Sequence, residues 1–102
     1  MSKAQYFNVE SDTLGTLRVT GGISFANAAR ALNRMPQPGP RGSTLDLDLG
    51  ALEKVDSATL AVLIAWSARA RRDGVTLRFR RAPQGLRNLA KLCDVDRLIG
   101  LT

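Results

Sequence analysis

From Ser57 to Asp73 the segment SATLAVLIAWSARARRD contains neither proline nor glycine and is rich in Ala, Leu and Arg. It predicts one long helix, ended by Gly74, a residue suited to the left-handed turn that closes helices. The flanks read differently. On one side STLDLDLGAL alternates Leu45, Leu47 and Leu49 with Asp46 and Asp48; on the other VTLRFR alternates Val75, Leu77 and Phe79 with Thr76, Arg78 and Arg80. Both carry the period of strands with one wet face. Strand, helix and strand in that order require a crossover, which makes the two strands parallel and the connection right-handed. Most other topologies are thereby excluded.

The remaining segments extend this unit. Gly15–Thr20 (GTLRVT) alternates Leu17 and Val19 against Thr16, Arg18 and Thr20, and a short strand near Tyr6 to Val9 is expected to pair with it through the SDT turn. After Gly21 and Gly22, ISFANAARALNRM places Ile23, Ala26, Ala29 or Arg30, and Leu32 near helical spacing, until Pro36, Pro38 and Pro40 forbid continuation. Pro83 opens a third helix over QGLRNLAKLCD, with Leu86, Leu89, Ala90 and Cys93 expected inward, and Leu98 to Leu101 suit a short last strand. Strands covered by helices on both faces would read as continuous apolar runs; these alternate. The expectation is therefore an α/β two-layer sandwich, a mixed sheet of about four to five strands with helices on one face. At 102 residues the chain fits a single domain spanning residues 1–102.

Composition narrows the chemistry. The chain holds no histidine and one cysteine, so the commonest general base, the commonest zinc ligand and an internal disulfide are all missing. No phosphate-binding glycine loop is present, and Asp46 and Asp48 point along a wet strand face, which does not suit a carboxylate dyad. No catalytic residue, metal site or cofactor is expected. No apolar run reaches the ~20 residues that span a bilayer, and the N-terminus lacks the apolar stretch of a secretion signal, so the expected location is the cytoplasm. The net charge of +6 is concentrated: between Arg69 and Arg97 lie nine Lys/Arg and three Asp/Glu. Such a patch suits an anionic partner or a merely solvated surface. No zinc-finger spacing or aromatic RNA-binding motif accompanies it, so sequence-specific nucleic-acid recognition is not expected.

Two features of the long helix remain. Asp56, Ser57, Ala58 and Thr59 stand where a strand runs into the helix. Asp or Ser at the N-cap accepts hydrogen bonds from free backbone N–H groups, which alone accounts for both; a hydroxyl there is equally a favourable phosphate position. Thr59, Val62 and Trp66 form a stripe about 100° around the helix from the expected core stripe of Leu60, Leu63 and Ile64. Either Trp66 is covered by the neighbouring helix, or the stripe meets a partner, as tryptophan often does.

Taken together, LDLDLGALEKVDSATLAVLIAWSARARRDGVTLRF resembles the signature of the STAS domain family, in which a hydrophobic strand leads to a D-S-x-G-L-like helix start, a glycine stop and another strand. The closing RNLAKLCDVDRLI is similar to the last helix and tail of MlaB-type members, the STAS subunits of the Mla phospholipid transport system of Gram-negative bacteria. The resemblance implies a non-enzymatic subunit bound to an ABC ATPase (MlaF-like) in a complex with a permease (MlaE-like), located at the inner membrane only through that complex. It equally implies an alternative: an anti-sigma factor antagonist phosphorylated by an anti-sigma factor kinase at the serine after the aspartate, a position Ser57 matches. Ala58 and Thr59 depart from the small Ser/Gly pair of the antagonists, and the bulkier Thr59 is expected to crowd a kinase approaching Ser57. The implied partner-binding residues are Gly22, Asp56, Ser57, Ala58, Thr59, Val62 and Trp66.

Overall fold

A computed structural model describes residues 7–11, 16–35 and 39–101. Its elements run β1 (Phe7–Ser11), β2 (Leu17–Gly22), α1 (Ala28–Asn33), β3 (Thr44–Lys54), α2 (Ser57–Arg72), β4 (Thr76–Arg80) and α3 (Gln84–Leu92). The four strands form one sheet in the order β1-β2-β3-β4. β1 and β2 pair antiparallel, whereas β2 with β3 and β3 with β4 pair parallel, each across a helix. This is the expected mixed α/β sheet. The SDT turn and the Pro36 to Pro38 stretch fall largely outside the described residues.

Alternation sorts the sheet's two faces. Val19, Leu47, Leu49, Leu77 and Phe79 are buried beneath the helices, while Arg18, Thr76, Arg78 and Arg80 are exposed on the other face. Two register shifts interrupt the β2–β3 pairing, at Arg18/Thr20 and at Gly21/Gly22, and the first breaks the alternation. Arg18 pairs with Asp48 but Thr20 with Ala51, so β3 carries an extra residue around Gly50, and beyond this bulge Leu52 is the buried side chain.

On the wet face opposite charges fall in register, Asp46 beside Arg78 and Asp48 beside Arg80. Arg78 Nε lies 3.0 Å from Asp46 Oδ1 as a charge contact without hydrogen-bond alignment, and Arg80 Nη1 is 3.8 Å from Oδ2. Such exposed pairs contribute little to stability. Asp48 is served better: Arg81 Nη2 reaches its Oδ2 at 2.7 Å and the Gly50 N–H its Oδ1 at 2.8 Å. Arg81 gets there by lying across Gly50, where an added Cβ would stand 2.9 Å from the guanidinium.

The helices close on the sheet through matched ends. The α2 terminus is a Schellman turn, with Gly74 N–H on Arg71 O, Val75 N–H on Ala70 O, and Gly74 at φ 76°. α3 ends likewise, Asp94 taking the left-handed position at φ 57° and Val95 N–H reaching Ala90 O. That turn corrects two expectations. Cys93, read as a buried residue, is the C-cap and is exposed, and Val95 packs against the core in its place. Residues 96–100 form turns, not a strand, though Ile99 and Leu101 are buried.

α1 is shorter than its sequence pattern. Helix starts only at Ala28, because Asn27 uses its side chain on the preceding loop, donating from Nδ2 to Gly22 O at 2.8 Å and accepting from Ser24 N–H at 2.9 Å. Six residues cannot make a stable helix alone, and α2 completes this one. Trp66 Nε1 donates to Ala31 O at 2.9 Å, a carbonyl that also accepts the C-cap Arg34 N–H at 3.1 Å, and Arg69 Nη1 donates to Leu32 O at 2.9 Å, so both side chains of α2 bond to carbonyls in the last turn of α1. Trp66 is fully buried, the largest such side chain.

Two outcomes are expected. Trp66→Phe keeps most of the apolar volume but removes one of the two hydrogen bonds to Ala31 O, and should lower stability by about 0.5–1.5 kcal/mol in urea titration. The Arg81 guanidinium, chiefly through its hydrogen bond, holds the Asp48 carboxyl below its ordinary value. A depressed carboxyl stabilises the folded state above its unfolded value and loses that contribution as pH falls through the folded value. Arg81→Gln should therefore flatten the fall in stability below about pH 4, measured as Tm against pH.

Candidate docking site at the start of α2

The start of α2 is built around two side chains. Asp56, in extended conformation at the N-cap, accepts at one carboxylate oxygen from Ala58 N–H (2.8 Å) and Thr59 N–H (3.1 Å). Thr59 returns the bond by accepting from Asp56 N–H at 3.0 Å, a capping box with threonine in the third helical position. The same Thr59 hydroxyl donates to Ile23 O, the carbonyl just beyond β2. One buried hydroxyl thus ties the helix start to the loop that follows Gly22.

Ser57 stands apart from this network. Asp56 does the capping, so Ser57 is the first residue of the helix, exposed, and its side chain makes no hydrogen bond among the described residues. The solvent-facing side of α2 continues with Ala61 and Ala68, both exposed. The helix therefore presents an unengaged hydroxyl on a surface of small side chains, which a partner backbone can approach closely.

The seven residues expected to bind a partner separate into two groups. Asp56, Ser57 and the Gly22 loop come together at one end of the sandwich, where Thr59 bonds to Ile23 O. Gly22 itself is buried, its carbonyl held by Asn27. Ala58 is also buried. The proposed stripe of Thr59, Val62 and Trp66 is a correction: all three are at most 1% exposed. α1 lies over Trp66, and Thr59 turns inward to Ile23, so neither reaches a partner. Thr59 consequently does not crowd Ser57, contrary to the expectation from its bulk.

Sequence reasoning missed Phe25, which is 79% exposed. It sat inside the expected first helix, where it looked like part of a helical face. Asn27 and Thr59 instead hold residues 23–27 as a turn and present Phe25 from the loop beside the α2 start. The available signal was an Asn immediately before the helix-spaced run AARAL, a residue type that halts helices at their beginning.

The arrangement does not assemble a nucleophile and base. The carboxylate adjoining Ser57 is engaged by two backbone N–H groups, and no group of three metal-ligating side chains occurs among the described residues. Capping assigns the stability here to Asp56. Asp56→Ala should cost about 1 kcal/mol, whereas Ser57→Ala should stay within about 0.5 kcal/mol of the parent, both by urea titration; an equal cost would return the cap to Ser57.

The family described as "Mlab, STAS domain" matches residues 9–100. No curated protein matches the sequence significantly. Among solved structures the fold is similar to the crystal structure of an antisigma-factor antagonist STAS domain from Rhodobacter sphaeroides, with a TM-score of 0.57 and 17% identity over 78% of this chain and 91% of that one. With residues 9–100 matched by the family model, this chain belongs to the STAS domain family.

Proposed function

We propose that this chain is a non-catalytic docking subunit that binds the ATPase of an ABC-type phospholipid transporter through the start of α2, and through it a permease at the inner membrane. In this reading it is cytoplasmic and meets the membrane only by way of the complex. The observation that carries the docking surface is the exposed, unbonded Ser57 hydroxyl at the α2 start together with the exposed Phe25 of the loop that Thr59 ties to that start. An aromatic side chain displayed on a pinned loop loses little conformational freedom when it enters a partner's pocket, which suits a binding anchor. The transporter assignment rests on the family description and on the resemblance of the last helix and tail to MlaB-type proteins.

The second reading, an anti-sigma factor antagonist, is favoured by the same hydroxyl. Ser57 is accessible at the first turn of a 16-residue helix. A phosphate there would add about 1.5–2 negative charges next to the Asp56 carboxylate, which already holds the N–H groups of Ala58 and Thr59. Added charge would compete for those donors and alter the docking surface without touching the core.

An affinity pull-down from the native organism compares the parent with Ser57→Arg and Phe25→Ala, neither of which touches a buried contact. Loss of an ABC ATPase from both variants, with unchanged Tm, is the expected result. Recovery of a serine-kinase-like protein instead, with phosphate on Ser57, establishes the antagonist reading. Normal binding by Ser57→Arg removes this surface from the function.

A further inference from the structure

β4 is an edge strand with a groove along it. Thr76 N–H bonds to Ser43 O at 3.0 Å, which turns the Thr76 backbone toward β3. Alternate residues of a parallel strand face the same neighbour, so Arg78 and Arg80 do likewise, and the N–H and C=O groups of Leu77 and Phe79 face away. No strand lies on that side among the described residues. The groove beside this edge, about 440 Å³, is lined by every residue of β4, by Ser67 and Arg71 of α2, and by Leu98 and Ile99 of the tail.

The two walls differ chemically. Arg78 and Arg80 stand on the wet-face side, each more than half exposed. They share the single carboxylate of Asp46, and Arg81 occupies Asp48, so cationic charge remains in excess there. Arg71 adds another exposed cation at the groove's helical wall. The inner wall has Leu98, 53% exposed, over Ile99 and Phe79. A second copy pairing through the same edge would bring Arg78 and Arg80 against their own counterparts, an unfavourable like-charge ladder. Carboxylates are the complement.

We infer that β4 takes up an extended segment of an acidic partner protein as a fifth strand. Backbone groups of Leu77 and Phe79 supply the ladder, and alternating side chains give the selectivity. Acidic residues meet Arg78 and Arg80 on one face; small apolar residues settle toward Leu98 on the other. The surface is separate from the docking end. Arg71 lies 14 residues along α2 from Ser57, about 21 Å of helix, so the inference does not rest on the function proposed above.

The test uses the full chain and a fluorescein-labelled hexapeptide of alternating glutamate and valine, read by anisotropy and by backbone amide shifts. Expected are saturable binding with the largest shifts in residues 75–80, and at least a roughly tenfold weakening when N-methyl groups block every second peptide amide. Lysine in place of glutamate should abolish binding. The blocked peptide leaves the protein unaltered, so folding cannot confuse the result. Arg78→Gln with Arg80→Gln should weaken the parent peptide to a similar degree. Equal affinity for the N-methylated peptide would reduce the site to unspecific charge attraction and overturn the inference. So would tighter binding of an oligothymidylate at the same arginines, or shifts confined to Phe25 and Ser57.

Discussion

The architecture turns on the hydroxyl of Thr59. It receives the Asp56 N–H, donates to Ile23 O, and is wholly excluded from solvent. Without it the cap of α2 loses one half of its reciprocal pair, and a buried carbonyl at the end of β2 is orphaned. Those two positions are 36 residues apart in sequence. The contact fixes where the second crossover begins relative to the first, and so determines which loop stands beside the α2 start. The segments that carry Phe25 and Ser57 are held together by a third side chain, itself invisible from outside.

A division of labour follows along α2. Its buried side carries the structural bonds: Thr59 to the β2 loop, then Trp66 and Arg69 to the closing carbonyls of α1. Its outer side keeps Ser57, Ala61 and Ala68, none of which the fold requires for a contact. Stability and recognition therefore occupy different residues of one helix, even where they are adjacent in sequence. Asp56 and Ser57 show this at closest range, since the side chain of one makes the cap and that of the other bonds to nothing among the described residues.

Much of the sheet was legible because strand alternation reports its two faces directly. Leu45 to Leu49 and Val75 to Phe79 carry their burial in their spacing, and the Asp/Arg pairing between β3 and β4 follows from register. The bulge at Gly50 was not legible, since one inserted residue changes parity without changing composition. At the site, Asp56 and Ser57 were visible as a helix start, but which of them caps depends on backbone conformation. Trp66 was misjudged as an interface residue for a physical reason: angular position on a helix says where a side chain points, not which neighbouring element covers it. Phe25 was missed because its placement depends on Asn27 bonding backward, a tertiary choice that competes with helix extension.

Trp66 is also the chain's sole tryptophan, and its indole is wedged between α2 and the last turn of α1. Its emission consequently monitors one event, the seating of α1 on α2, with no second indole to obscure it. The chain is equipped with an optical gauge of its least self-sufficient element. Because α1 directly follows the loop that bears Phe25, strain transmitted through that loop during complex formation would be read as a spectral change from the interior, although the fluorophore never meets the partner.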